Sequence, residues 1–191
     1  MIFQLVNARW YTDSSNRYIP SFASLLYGIE VLPDDAQGGE AEFSNIFATY
    51  DALSEELKQR MKPLQMAHSY EFGRCLFPEL APLTQTEREF VPPTSHPLVR
   101  VHLHRNNRRS LFMTISAGNE VSGMSLEDGQ ALHRLRHDHV SNPAICYRHR
   151  WQPGDFVIWD NCCTLADADS VLVPLLRIGW RPISMRVSRH H

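Results

Sequence analysis

The pattern of apolar and polar positions along the chain predicts several short strands. Ser24–Val31 (SLLYGIEV) is rich in apolar and β-favouring residues, which is typical of a buried strand. Leu98–His104 alternates between apolar and polar positions, and Arg109–Ile115 follows after a polar turn, so these two segments predict a hairpin. Ala144–Trp151 and Phe156–Asp160 predict two more strands joined by a Pro-Gly-Asp turn, and the tail from 171 to 187 is again strand-like.

Helical patterns are fewer. Ile46–Met61 carries apolar residues at spacings of three and four and predicts one helix. Thr84–Phe90 predicts a short polar helical turn that two prolines end, and Ser125–His139 predicts a helix with Ser125 as its N-cap. Asp34–Gly39 and Val91–His96 are typical of loops. Short strands with few helices favour a mainly β fold with helical insertions (α+β), either a β-sandwich or a jelly roll.

Composition and charge fit one globular domain that spans 1–191. The chain has 191 residues, 43% of them hydrophobic, and a formal net charge of −2. A pI near 6.5 gives no general reason to expect nucleic acid or an anionic membrane as a partner, and the basic run 105–109 is typical of a solvated turn. The apolar start at 1–6 is too short for a secretory signal. We therefore expect a cytoplasmic protein with neither nucleic-acid nor membrane partners.

The cysteines do not indicate a metal site or a disulfide framework. None of the four forms a CxxC pair, and the adjacent Cys162 and Cys163 would point to opposite faces of a strand. Four reduced thiols are therefore expected.

Six segments, in this order, carry a resemblance to a known family. They are Trp10–Ser15 (WYTDSS), Gly38–Phe43 (GGEAEF), Ala48–Leu53 (ATYDAL), His96–Arg100 (HPLVR), Tyr147–Trp151 (YRHRW), and Pro153–Asp155 (PGD) leading to Trp159–Asn161 (WDN). Together they make the chain, from about Arg9 to Arg181, resemble the taurine/2,4-dichlorophenoxyacetate type of iron- and 2-oxoglutarate-dependent dioxygenases. A match to any one of these short segments is weak evidence for the family, but six matches in the family's order are specific evidence.

The resemblance implies a fold and a chemistry. The fold is a double-stranded β-helix, the jelly roll that carries a mononuclear Fe(II) in its mouth. In that family a His-x-Asp/Glu pair and a distal His hold the iron as a facial triad. The implied reaction is a hydroxylation-type oxidation of a small substrate, coupled to decarboxylation of 2-oxoglutarate to succinate.

Matching the motifs places other residues at the two histidine positions. The His-x-Asp segment corresponds to Tyr11-Thr12-Asp13, so that Asp13 is the one metal ligand kept. Ala166 stands at the position of the distal His, and a methyl group cannot bind a metal. Tyr11 and Asp13 are accordingly the candidate catalytic residues.

Cofactor and substrate positions follow from the same resemblance. Ala41 corresponds to the threonine that contacts the keto acid in the family. Arg177 would clamp the distal carboxylate of 2-oxoglutarate as a planar fork, and Arg181 would face an acidic substrate.

Structural roles compete with these assignments. Asp13 could cap a turn, and the two arginines could lie on a solvated strand face. Substitute metal ligands could come from Asp167, Asp169 or His149, for which a solvated loop or a structural histidine is the alternative. His102 and His104 share one strand face and could form a paired metal site, although a polar strand face is several times commoner.

Three functional hypotheses remain open from the sequence. The chain is an active dioxygenase with an unusual metal site, a non-catalytic binding or regulatory pseudoenzyme, or a non-redox isomerase or cyclase that reuses the pocket with Tyr11 and Asp13 as acid and base. The His-x-Asp segment begins at residue 11, so the chain as given lacks the family's usual N-terminal region. An exposed sheet edge could then pair with another copy as a homo-oligomer.

Overall fold

The computed structural model describes residues 10–33, 38–75, 80–114, 121–168 and 178–183, with the backbone alone described for the last range. Its strands are β1 (Ala23–Gly28), β2 (Ala41–Asn45), β3 (Gln65–His68), β4 (Thr94–Pro97), β5 (Val99–His102), β6 (Arg108–Leu111), β7 (Cys146–His149), β8 (Phe156–Asp160), β9 (Thr164–Ala168) and β10 (Ile178–Ile183). Its α-helices are α1 (Ile46–Asp51), α2 (Glu55–Met61), α3 (Tyr70–Cys75), α4 (Gln85–Phe90) and α5 (Leu126–Val140).

Two antiparallel sheets carry the fold. The described strands form one three-stranded sheet in the order β10-β1-β8 and another in the order β7-β2-β9. The remaining described strands form two antiparallel pairs, β3 with β4 and the hairpin of β5 with β6. Because neighbours within both larger sheets are distant in sequence, residues from both ends of the described chain meet in the same layers.

An apolar cluster joins side chains from the two larger sheets, and we call it the inter-sheet cluster. Its buried members are Ala41, Phe43, Trp151, Trp159 and Ala166, with Tyr11, Leu26, Val31 and Val157 packed against them. The side chains of a strand alternate between its two faces. Leu165 accordingly joins a different cluster, which contains Trp10, Ile46 and Val140.

The largest apolar cluster lies between the helices and the smaller strand pairs. Its buried members are Tyr50, Leu53, Met61, Met66, Leu98, Leu111, Met113, Val121 and Leu132. No helix in the described ranges is long and apolar enough to cross a membrane.

Several elements match the sequence predictions. Ser125 caps α5 by accepting from the Asp128 N–H, and Thr84 forms a capping box with Glu87 at the start of α4. Strand β8 has its predicted bounds, and the turn before it uses Gly154 at φ +90°, a conformation that favours glycine. The hairpin is confirmed as β5 with β6. Of the strand-like tail, β10 is described, and 171–177 and 184–187 lie outside the described residues.

Two predictions were wrong. The single helix over Ile46–Met61 is two helices, because Ser54 adopts an extended conformation and caps α2 through the Leu57 N–H. Val91–His96 is not all loop, because Thr94–Pro97 pairs with β3 as strand β4. The mainly β class with helical insertions is confirmed.

Candidate functional site

Tyr11 and Ala166 are a hydrogen-bonded backbone pair. The Tyr11 N–H donates to the Ala166 carbonyl at 2.8 Å, and the Ala166 N–H donates to the Tyr11 carbonyl at 2.8 Å. In such an antiparallel pair the two side chains lie on the same face with Cα atoms about 5.5 Å apart. Both side chains accordingly pack in the inter-sheet cluster. The structure therefore brings together two of the positions that the sequence assigned to one site.

A buried hydrogen-bond network holds the third position, Asp13. The Ser24 hydroxyl donates to the Asp13 carboxylate and accepts from the Asn161 side-chain amide at 2.8 Å. The Thr12 hydroxyl donates to the Asn161 backbone carbonyl at 3.1 Å. Because Ser24 and Asn161 are 0% and 1% exposed, water does not compete for these bonds. The network connects the segment before β1 to β1 and to the end of β8, and it fixes the Asp13 carboxylate.

The surroundings of Tyr11 keep its phenol neutral. Burial raises the pKa of Tyr11 well above its ordinary value, and the negative charges of Asp13 and Asp167 raise it further. Asp167, the residue after Ala166 on β9, is half-buried. The site thus combines a neutral phenol, nearby carboxylates and the methyl group of Ala166.

This set of groups does not supply the donors of an iron facial triad. Ferrous iron in that site takes two imidazoles and one carboxylate. Asp13 provides a carboxylate that already accepts from Ser24, a protonated phenol is a poor ligand, and Ala166 provides no donor.

Of the three predicted cofactor and substrate positions, the structure describes Ala41 in full and Arg181 by its backbone alone. Ala41 is buried on β2, where its Cα partners are Ala168 and His149. Its methyl group offers none of the hydrogen bonds of a threonine. Arg181 is the Cα partner of Leu25 in the β1·β10 pairing, and its side chain is not described. Arg177 lies outside the described residues, so the clamp on 2-oxoglutarate stays a prediction.

Of the substitute metal ligands, Asp167 is close enough to Tyr11 to raise its pKa together with Asp13, but among the described residues Asp13 belongs to no group of three potential ligands. His149 lies with Nε2 2.9 Å from an Asp155 carboxylate oxygen and packs edge-on against Trp151 at a ring-centroid distance of 4.7 Å. These contacts explain His149 as a structural residue. Asp169 lies outside the described residues.

The interpretation of His102 as part of a polar strand face was wrong, whereas His104 is exposed. His102 is 4% exposed, and its Nε2 lies 2.7 Å from Asp160 Oδ2. Cys163 is close enough that one ligand atom from each of the three residues lies within 4.8 Å of the others. The 2.7 Å contact is a hydrogen-bond distance, and Asp160 also accepts from the Cys162 N–H at 2.8 Å. A hydrogen bond between β5 and β8 therefore accounts for the pair.

Sequence reasoning missed Ser24 and Asn161 as positioning residues for Asp13. Ser24 was part of a strand pattern, and Asn161 was part of a framework motif. The available signal was a hydroxyl within an apolar strand, since a buried hydroxyl requires a hydrogen-bond partner.

Replacing Asn161 tests the network around Asp13. We expect Asn161→Ala to lower the free energy of unfolding by about 1–3 kcal/mol, because the buried Ser24 hydroxyl loses its donor. Urea unfolding measures the change. Gln85→Ala is the control, since it removes an exposed side-chain bond to Glu89 and should change stability by less than about 0.5 kcal/mol. Equal effects of the two substitutions would contradict the network's role.

Stability at alkaline pH tests the environment of Tyr11. Below pH about 10 the tyrosine is neutral in both folded and unfolded protein and contributes no pH dependence. Above it, the unfolded chain releases the proton and the folded phenol keeps it, so the free energy of unfolding falls by about 1.4 kcal/mol per pH unit. We expect Tyr11→Phe to remove this part of the alkaline slope in urea unfolding.

The matched control for that experiment is Tyr27→Phe, because Tyr27 is 46% exposed. Its replacement should leave the alkaline slope as it is in the parent protein. An unchanged slope in Tyr11→Phe would show that the phenol ionises as readily in the folded as in the unfolded chain.

Several known proteins with similar sequences are named as dioxygenases. The family model described as taurine catabolism dioxygenase TauD, TfdA family, matches residues 2–169. An alpha-ketoglutarate-dependent 2,4-dichlorophenoxyacetate dioxygenase from Burkholderia sp. (strain RASC) is 32% identical over 165 residues, which are 86% of this chain and 54% of that protein. An alpha-ketoglutarate-dependent sulfate ester dioxygenase from Pseudomonas putida is 33% identical over 164 residues, 81% of this chain and 52% of the relative.

Solved structures show the same fold. The crystal structure of AAD-2 in complex with Mn(II) and N-oxalylglycine has a TM-score of 0.82 and 32% identity, covering 94% of this chain and 69% of that one. A taurine dioxygenase from Burkholderia xenovorans has a TM-score of 0.72 and 26% identity, covering 93% and 55% of the two chains. These similarities confirm the jelly-roll prediction.

The chain spans about half the length of the 2,4-dichlorophenoxyacetate and sulfate ester dioxygenases, with 54% and 52% of their residues aligned. The match to the family model nevertheless covers most of the chain, and it includes Tyr11, Asp13, Ala41 and Ala166. The chain belongs to the TauD/TfdA dioxygenase family.

Proposed function

We propose that this chain is a degenerate member of the family, a binding or regulatory domain that takes up a small acid without ferrous iron. The observation that carries the proposal is the backbone pair of Tyr11 and Ala166 beside Asp13. If positions 11 and 166 are the family's two histidine positions, this chain has neither imidazole ligand, and the two replaced side chains lie next to each other.

The side chains at these positions argue against tight binding of iron. Metal affinity comes from several preorganised ligands acting together, so that a lone carboxylate with water holds a divalent ion weakly. A phenol becomes a ligand after losing its proton, and the burial that raises the pKa of Tyr11 opposes that loss. Tyr11 also packs against the apolar cluster rather than standing free in a polar pocket.

A small acid remains the proposed ligand. Two of the relatives are named for action on 2,4-dichlorophenoxyacetate and on sulfate esters, which are both anionic compounds. Relatives are also named as alpha-ketoglutarate-dependent, which means that their cosubstrate is a dicarboxylate. In this chain Arg177 and Arg181 are the proposed anion contacts, the first for a distal carboxylate and the second for an acidic substrate group.

A non-redox catalyst is the second candidate. The observation in its favour is that a phenol and a carboxylate, Tyr11 and Asp13, interact electrostatically at one site. General acid catalysis is most effective when the pKa of the acid lies near the working pH. Burial moves the pKa of Tyr11 away from that range, so the site is a poor proton donor and the binding role is better supported.

Restoring both histidines tests the assignment of the ligand positions. We expect the double variant Tyr11→His with Ala166→His to bind Fe(II) at least about 100-fold more tightly than the parent, since even second-shell partners of metal ligands are worth ten- to a hundredfold. Loss of the phenol ring leaves room near Ala166 for the second imidazole. Anaerobic titration of the purified, metal-assayed protein measures the affinity.

The controls are built into the same series. Each single histidine variant should gain much less affinity, and adding Asp13→Asn to the double variant should remove most of the gain. A folded double variant that binds Fe(II) no better than the parent would show that the ligand positions are misassigned. Tight stoichiometric Fe(II) in the parent, with succinate formed in air, would show an active dioxygenase instead.

Ligand-dependent stability tests the acid-binding role. At a 2-oxoglutarate concentration of 100 times Kd we expect Tm to rise by roughly 5–10 °C, because ligand binding to the folded state alone stabilises by about 2.7 kcal/mol. Arg177→Ala should abolish the shift, and Arg109→Ala, at an exposed position of the β5–β6 hairpin, should keep it.

Glutarate separates binding from the family's chemistry. In an iron-binding site the keto group chelates the metal, so 2-oxoglutarate binds more tightly than glutarate. Without iron we expect similar Tm shifts from the two acids. A much larger shift with 2-oxoglutarate that requires Fe(II) would contradict the proposal, and no shift from either acid would leave the fold without the proposed ligand.

A further inference from the structure

A cavity borders the hydrogen-bond network of the candidate site, because Asn161 is one of its lining residues. It has a volume of about 290 Å³, near the lower end of small-molecule pockets. The segment before β1 and strand β5 with its following turn supply most of its wall. None of Tyr11, Asp13 and Ala166 lines it.

Arg100 on β5 lines this cavity and lacks a carboxylate partner. Its side chain is half-buried, its Nη1 is buried without a hydrogen-bond partner, and its guanidinium forms no ion pair or hydrogen bond with any described residue. Its described contact is with the ring of Phe112, at 4.4 Å from the guanidinium carbon to the centroid. A buried charge is normally paired, because taking it out of water is costly.

Arg100 differs in this respect from the other arginines whose side chains are described. Arg74 is half-buried but donates to the Ala81 carbonyl at 2.8 Å. The rest are exposed, and several of them pair with carboxylates, as Arg88 does with Glu71 and Arg108 with Asp51. Among these side chains, the combination of partial burial with no described hydrogen bond or ion pair is therefore specific to Arg100.

The remaining walls of the cavity suit an apolar group. Phe22, Val101 and Leu103 contribute apolar surface, and Tyr18 and Ile19 form an exposed rim at 86% and 72% exposure. No Asp or Glu lines the cavity.

Asp160, which contacts the cavity-lining His102, already has two hydrogen-bond partners. Asp160 bonds to His102 Nε2 at 2.7 Å and accepts from the Cys162 N–H at 2.8 Å. The cavity thus presents one cation without a counter-ion at an apolar wall, with His104 also on its lining.

We propose that this cavity binds a small amphipathic carboxylate, with its charged group on Arg100 and its apolar body against Phe22, Val101 and Leu103. A guanidinium and a carboxylate form charge-assisted hydrogen bonds, roughly twice as strong as neutral ones in this setting. The ligand's apolar part displaces water from the apolar wall. The proposed carboxylate contact here is Arg100, and Arg177 has no part in it.

Hexanoate and its uncharged analogue hexanamide are the probes, and NMR titration of the full chain measures Kd. We expect hexanoate to bind at least about tenfold more tightly than hexanamide, since a hydrogen bond to a charged group contributes about 1.5–3 kcal/mol. Arg100→Gln should weaken hexanoate binding by a similar factor and leave hexanamide binding nearly unchanged.

A second pair of variants keeps the test valid if Arg100→Gln does not fold. Leu103 is 77% exposed, so its replacement spares the core. Leu103→Glu places a negative charge at the cavity and should weaken hexanoate binding severalfold more than the matched Leu103→Gln. Arg177→Ala should leave hexanoate binding intact, which separates this site from the one proposed for 2-oxoglutarate.

Each outcome of these titrations either supports or overturns the proposed carboxylate site. Selective hexanoate binding that depends on Arg100 and on the charge at position 103 supports the proposal. Equal binding of hexanoate and hexanamide, no binding of hexanoate, no effect of the charge at position 103, or loss of binding in Arg177→Ala overturns it. The 2-oxoglutarate titration is independent of all four results.

Discussion

The reciprocal backbone hydrogen bonds between Tyr11 and Ala166 determine how the segment before β1 enters the fold. They attach that segment to β9 and set which side each of its residues faces. Trp10 then packs with Leu165 and Ile46 on one side, and Tyr11 packs in the inter-sheet cluster on the other. A shift of one residue would exchange the two aromatic side chains, so the apolar packing on both sides enforces this register.

The same pair shows that this backbone pairing does not require metal-binding side chains at positions 11 and 166. Backbone hydrogen bonds do not depend on side-chain identity, so Tyr11 and Ala166 keep the pairing while their side chains extend the apolar cluster. Asp13 is held independently, through Ser24 and Asn161. Its carboxylate therefore has a structural partner whether or not a cation is present, and its retention in the sequence does not by itself require iron.

Local signals were sufficient for some elements and not for others. The caps at Thr84 and Ser125 involve residues three positions apart, so they can be recognised from sequence. Strands β2, β3 and β9 were not predicted. Strand β4 was taken for part of a loop, because Thr94–Pro97 is polar and becomes a strand through pairing with Gln65–His68. Ser54 divided the predicted long helix, although the apolar spacing continued across it.

The order of the motifs predicted that Tyr11, Asp13 and Ala166 share one site although they are distant in sequence. It did not predict which charged side chains have partners within the protein. The contacts in the structure show which charged side chains have such partners. Asp13 accepts from the Ser24 hydroxyl, which in turn accepts from Asn161, whereas Arg100 lies against an aromatic ring without a described anion. Both charges are partly removed from water, and a protein compensates such a charge with its own groups or with a ligand. Asp13 has a hydrogen-bond donor within the fold and Arg100 has no described anion, and this difference is the basis for the anion site proposed at Arg100.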